Sequence, residues 1–121
     1  TFLGRLANRN VLDRMAHAAS VIINSNVETF SVVTGEALAQ GKPVIAIWCG
    51  GPMAFVTPEN GLLINTRDDD ALARAMVDLT QNADRYSAAS IRDSVNSRSS
   101  PEAVGRTLLE LYTAIVASTD A

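Results

Sequence analysis

Along the first half of the chain, short apolar clusters alternate with stretches in which apolar residues recur every three or four positions. That alternation predicts repeated strand-helix units over a parallel sheet. Residues 1–3 read as the stub of a strand closed by Gly4. Val11, Leu12, Met15, Ala16 and Ala19 then fall at helical spacing, which predicts a helix near 10–19 with Asn8 or Asn10 as its N-cap. Val21, Ile22 and Ile23 form an unbroken β-branched run, the pattern of a central strand covered on both faces, and Asn24 and Ser25 end it. A second helix is predicted over 31–40, because Gly41 can take the left-handed conformation that closes a helix and Pro43 cannot continue one.

A third strand is predicted over 44–47. Residues 48–60 carry two glycines and two prolines and read as loop, with one helical turn over 53–56. Leu62, Leu63 and Ile64 supply a short fourth strand. Leu72, Ala75, Met76 and Leu79 share one face of a helix near 69–81. A weaker helix is expected over 84–96, where Tyr86, Ala89, Ile91 and Val95 give partial periodicity and three serines lower helix propensity. The last helix opens on Ser100 as N-cap and Pro101 at its first position, with Val104, Leu108, Leu111, Tyr112 and Ile115 on an apolar face. The expected fold is α/β, a partial Rossmann-like parallel sheet of about four strands flanked by helices, with residues 1–121 forming a single domain.

Composition narrows the function classes. An apolar content of 47% and a net charge of -3 describe an ordinary globular chain of 121 residues, long enough for one domain. It carries no basic stripe that could hold phosphate backbones, so nucleic acid is not an expected partner. Apolar runs of a few residues fall far short of the roughly 20 needed to cross a bilayer, and T-F-L-G is not the start of a signal peptide. The opening without Met, as though mid-strand, reads as an excised segment of a longer chain. Cys49 is the single cysteine, which rules out an internal disulfide and fits a reducing cytoplasm.

In an open parallel sheet, ligands bind beyond the carboxyl ends of the strands, where helix N-termini point outward. Residues 25–31 leave the predicted second strand and enter the second helix, so their amides, backed by the helix dipole, can receive a phosphate or sugar oxygen. Residues 48–52 do likewise after the third strand. Glu28 and Glu36 suit hydroxyl-rich groups, because a carboxylate accepts hydrogen bonds from a pair of adjacent hydroxyls. Eight residues along a regular helix turn through roughly 800°, leaving the two acids about 80° apart and able to address different parts of one extended ligand.

Each feature also has an ordinary reading. Two carboxylates eight positions apart occur often by chance, and S-x-x-E at 25–28 matches a capping box that would simply start the helix. Asp68, Asp69 and Asp70 look like a D-x-D metal motif, yet they precede a helix and are expected to cap it. His17 is a surface or packing residue, Cys49 a small apolar one. Trp48 suits packing on a base and packing in the core equally well.

Read in order, residues 25–51 run S-N-V-E-T-F-S-V-V-T-G-E-A-L-A-Q-G-K-P-V-I-A-I-W-C-G-G. This block resembles the donor-nucleotide site of retaining GT-B glycosyltransferases, the nucleotide-sugar family 4, in the C-terminal part of their donor domain. The likeness covers roughly residues 2–64 and includes F-L-G, E-A-L-A-Q-G-K-P-V and the later E-N-G-L-L-I. It implies Glu28 as the catalytic residue, beside the donor hexose, and Glu36 as the residue holding the ribose hydroxyls. Ser25, Thr29, Phe30, Ser31, Val32, Gly50 and Gly51 are the further donor-binding positions it implies, with Phe30, Ser31 and Val32 on the sugar-diphosphate side. No cofactor and no metal are implied; the nucleotide-diphosphate sugar is a substrate. Three positions depart from the pattern: Thr29 and Ser31 stand where relatives often carry Gly, and Gly35 where a larger apolar residue is usual.

The resemblance implies a parent enzyme that moves a hexose, with retention, to a sugar or lipid-linked acceptor in polysaccharide or glycoconjugate synthesis. Its N-terminal acceptor domain, and the Arg and Lys that neutralise the leaving diphosphate, would lie outside these residues, so the isolated segment is expected to be inactive. Peripheral membrane association of the parent and self-association of the segment through an exposed strand edge belong to the same picture. The alternatives are a GT-B-like nucleotide-sugar epimerase, a glycogen-type synthase, or a non-catalytic α/β binding module.

Overall fold

The computed structural model describes residues 1–65 and 68–119. In chain order the elements are α1 (Asn8–His17), β1 (Val21–Ile23), α2 (Val32–Ala39), β2 (Val44–Ile47), a 3-10 turn (Gly51–Ala54), β3 (Gly61–Ile64), α3 (Asp69–Gln81), a second 3-10 turn (Ala83–Arg85), α4 (Ala88–Ser99) and α5 (Pro101–Thr119). The expected α/β class holds. The strands form one parallel sheet in the order β1-β2-β3, with Val21 opposite Val44 and Val44 opposite Gly61.

β2 is buried along its whole length, and its side chains alternate between two apolar layers as the pleat requires. Val44 and Ala46 join Met15, Ile23, Leu38, Phe55, Ile91 and Val95 beneath α1, α2 and α4, whereas Ile45 meets Ala75 and Leu79 of α3 on the opposite face. α3 packs over β2 and β3 and leaves β1 uncovered on that side. Ile22, on the uncovered face, is accordingly 39% exposed.

Two strand expectations are therefore corrected. β1 lies at an edge rather than the centre: a run of three β-branched residues suits either place, and only the layer above decides. Residues 1–3 form no strand and pair with nothing; Phe2 is fully exposed and Leu3 half exposed, so no sheet edge receives them. The sheet described here has three strands, not four.

The helices follow their punctuation closely. Gly41, at φ 72°, closes α2 as Gly41 N–H donates to the Leu38 carbonyl and Lys42 N–H to that of Ala37. Asp68 caps α3 by accepting from Asp70 N–H at 2.9 Å, so the acidic run serves as the expected cap. Ser100 caps α5 through Ala103 N–H at 3.1 Å. The weak 84–96 helix resolves into the turn Ala83–Arg85 and α4, which Ser87 caps. α1 starts at Asn8, two residues earlier than expected, with Ala7 at the N-cap position, and neither Asn8 nor Asn10 caps it. Of the α5 apolar positions, Val104, Leu108, Leu111 and Tyr112 all remain between 44% and 62% exposed; Ala103 is the residue by which α5 enters the core. Among the described residues no helix is long and apolar enough to cross a membrane.

Candidate functional site

At the carboxyl end of the sheet, the loop 24–31 after β1 lies against the loop 48–51 after β2. The contact is a single further rung of parallel ladder, Glu28 opposite Gly50. Glu28 N–H donates to the Cys49 carbonyl at 3.0 Å, and the Glu28 carbonyl accepts from Gly51 N–H at 2.6 Å. Gly50 holds φ 110°, and a Cβ there would stand 2.5 Å from the Glu28 oxygen; a Cβ on Gly51 would run into the Phe30 carbonyl. The glycine pair thus permits two backbones to touch, a demand independent of any ligand. It also fixes the backbone from which the Glu28 side chain departs.

The S-x-x-E sequence does not form a capping box, because α2 begins at Val32, beyond Glu28. Instead the Ser25 hydroxyl donates directly to Glu28 Oε1 at 2.7 Å. Both residues are half-buried; the bond holds this oxygen and leaves the lone pairs of the second carboxylate oxygen for other donors.

Ser31 precedes α2 in the left-handed region, φ 60° and ψ 61°, the sole non-glycine with positive φ among the described residues. An L-residue there costs about 1–2 kcal/mol, which is the physical reason a glycine suits this position. The buried Ser31 hydroxyl shares a 2.7 Å hydrogen bond with that of Thr34, itself fully buried. Thr34 was not singled out from sequence, though its spacing of three from Ser31 is the signal that would have found it. Beyond Ser31 the first turn of α2 leaves backbone N–H groups that the helix cannot satisfy internally. Thr29 is exposed on the same loop.

Phe30 sets its ring edge against Phe55, with centroids 5.1 Å apart and planes at 85°. With Val32, Gly35, Glu36 and Val95 these rings line a hollow of about 330 Å³ between α2 and the α4–α5 junction. The side chains of Phe30 and Val32 thus accompany Glu36, while Ser25 and Glu28 form a separate pair. A Cβ on Gly35 would meet only the Phe55 ring, at 3.9 Å, so close approach does not explain it.

Glu36, half-buried in the second turn of α2, is held from an unexpected direction: the Asn8 side-chain amide donates to Glu36 Oε1 at 2.8 Å. Asn60 was also missed. Fully buried, it accepts from Thr57 N–H and donates to the Phe55 carbonyl and the Ser94 hydroxyl, locking the loop that carries Phe55 to α4. Trp48 is 54% exposed and lines a hollow beside Val56 and Leu63. Cys49 is half-buried, and His17 lies on the surface with its ring beside the Asp13 carbonyl. Among the described residues, no three His, Cys, Asp or Glu side chains converge as metal ligands would.

The chain is thus an α/β protein whose helix N-terminus, left-handed turn and two held carboxylates follow the first strand of a parallel sheet, on the side where open sheets of this class bind their ligands. The family model "Glycosyl transferases group 1" matches residues 1–82, about two thirds of the chain, and the chain belongs to that family. A GDP-mannose-dependent alpha-mannosyltransferase of Mycobacterium tuberculosis is 35% identical over 102 residues, covering 83% of this chain and 27% of that protein. Sucrose-phosphate synthase from Thermosynechococcus elongatus superposes with a TM-score of 0.82 at 30% identity, over 98% of this chain and 30% of its own. The Anabaena HepE protein, solved in complex with UDP, superposes at 0.74 and 25% identity, over 84% of this chain and 29% of its own. The chain spans between 7% and 27% of the length of the curated relatives it matches.

Proposed function

We propose that this chain carries the donor-nucleotide half of the active site of a retaining GT-B glycosyltransferase, which transfers a hexose from a nucleotide sugar to a sugar or lipid-linked acceptor. The observation that carries the reading is the pair of carboxylates, each held at one oxygen by a neutral donor: Glu28 by Ser25 and Glu36 by Asn8. A neutral donor orients a carboxylate without cancelling its charge, so the remaining lone pairs stay strong acceptors for vicinal hydroxyls. Glu36 takes the ribose hydroxyls. Glu28 stands by the donor hexose, where a carboxylate can also stabilise the positive character that develops at the anomeric carbon.

Ser25, Thr29, Phe30, Ser31 and Val32, with Gly50 and Gly51, complete the half-site. In this reading the amides of 30–33 approach the diphosphate, and Gly50 and Gly51 act by letting the two loops meet. The residues of 1–121 form one domain, the C-terminal part of a donor domain in a longer enzyme. Its acceptor domain, and the cations that neutralise the departing diphosphate, come from elsewhere in that enzyme. No metal is assigned a role: the acidic run at 68–70 is engaged in capping α3. The enzyme works in the cytoplasm, and any membrane association is peripheral, through a lipid-linked acceptor.

Support for the nucleotide comes from the relatives, one named for GDP-mannose and one solved with UDP. Calorimetric titration of UDP, GDP and ADP sugars into a full-length protein carrying this chain identifies the donor. At least one should bind, and Glu36→Ala should weaken it about tenfold or more, as expected for lost hydrogen bonds to a charged group. Binding by none of them refutes the assignment.

A further inference from the structure

Asn8 occupies the first position of α1, one residue past Ala7 at the N-cap, and no side chain caps this helix. The Asn8 amide instead crosses 28 positions of sequence to Glu36 Oε1 at 2.8 Å. The direction of this bond is unambiguous, since a carboxylate has no hydrogen to give and the amide must present its N–H. Val11, Leu12 and Met15 anchor α1 in the same apolar layer as Ala37 and Leu38 of α2, so the two helices pack through one layer. Asn8 itself is exposed and contributes nothing to that layer.

We propose that Asn8 is a positioning residue for nucleotide binding: it holds the Glu36 carboxylate in the rotamer that presents Oε2 to the ribose hydroxyls. The inference rests on the ribose role of Glu36 given above. Glutamate is a flexible side chain, and freezing it only when the ligand arrives weakens binding by about three- to tenfold. Asn8 removes that loss by holding the side chain beforehand. A cation at this position would orient Glu36 equally well but would withdraw its charge from the ligand; an amide does not.

The test is a mutant cycle in the full-length protein, with UDP and GDP and their 2′,3′-dideoxy analogues as titrants. Asn8→Ala should weaken binding of the ribose nucleotide about three- to tenfold, leave the dideoxy analogue unchanged, and leave the melting temperature unchanged. Asn8→Asp, equal in size but placing a second carboxylate against Glu36, should weaken ribose-nucleotide binding further than Ala; Asn8→Gln should recover part of the loss. In a Glu36→Ala background the Asn8 substitutions should have no further effect. Equal losses for ribose and dideoxy nucleotides, or full additivity with Glu36→Ala, overturn the positioning role. A full effect of Glu36→Ala with none from Asn8→Ala overturns it too and leaves the ribose role of Glu36 standing. No effect of Glu36→Ala on any nucleotide overturns both.

Discussion

Replacing Ser31 by glycine and by alanine separates two opposing effects at one residue. Both substitutions remove the 2.7 Å hydrogen bond to the buried Thr34 hydroxyl, a loss of about 1–3 kcal/mol if that group finds no other partner. Alanine keeps the strained backbone at φ 60° and ψ 61°. Glycine relieves it, a gain of about 1–2 kcal/mol, against which its freer unfolded chain costs about 0.5–1 kcal/mol. Ser31→Gly should therefore be the more stable variant by about 0.5–1 kcal/mol, or some 2–5 °C in melting temperature for a chain of this size. Ser31→Ala should melt below the wild type in every case. Differential scanning calorimetry of the three proteins decides the matter. An alanine variant as stable as the glycine one would refute the claim that backbone strain governs this position, and with it the account of why glycine suits it.

Gly50→Ala should destabilise by about 2–5 kcal/mol, since the new Cβ would stand 2.5 Å from the Glu28 carbonyl oxygen on a backbone that disfavours any side chain; a melting temperature within 2 °C of wild type would contradict this. Gly35→Ala should stabilise by about 0.5–1 kcal/mol, because the Phe55 ring at 3.9 Å leaves room and alanine is the better helix former, and urea unfolding should show a higher midpoint with an unchanged slope. The Tyr86 hydroxyl is buried with no hydrogen-bond partner among the described residues, so Tyr86→Phe should match the wild type or exceed it by up to about 1 kcal/mol. Burial, opposed by the charge of Arg85, raises the Tyr86 pKa above 10.0. Below pH 10 the phenol is neutral in both states; above it the unfolded chain ionises first, and the wild type should lose stability more steeply than Tyr86→Phe in chemical denaturation at pH 9 and 11.

Residues with strong local preferences were legible before folding. Gly41 and Pro43 end α2, Asp68 and Ser100 start their helices, and the apolar run at 44–47 is a buried strand, because each acts on neighbours within a turn. Glu28 and Glu36 were legible as candidates from residue type and order alone. Legibility failed wherever the partner was distant in sequence. Val21, Ile22 and Ile23 look alike as letters, yet α3 stops short of covering Ile22. The pair Gly50 and Gly51 invites a ligand reading, while the atoms they make room for belong to Glu28 and Phe30. The α5 stripe is amphipathic on paper and still largely open to solvent.

Taken alone, the order of residues determined an α/β chain of parallel strands and a carboxylate pair placed beyond strand ends, because periodicity, caps and residue chemistry are short-range properties. The tertiary structure alone decided which strand lies at the edge, which carboxylate oxygen is held, and that Asn8 serves Glu36 rather than its own helix. The physical reason is one of distance: a hydrogen bond spanning 28 residues exists only after the apolar layer has brought α1 against α2.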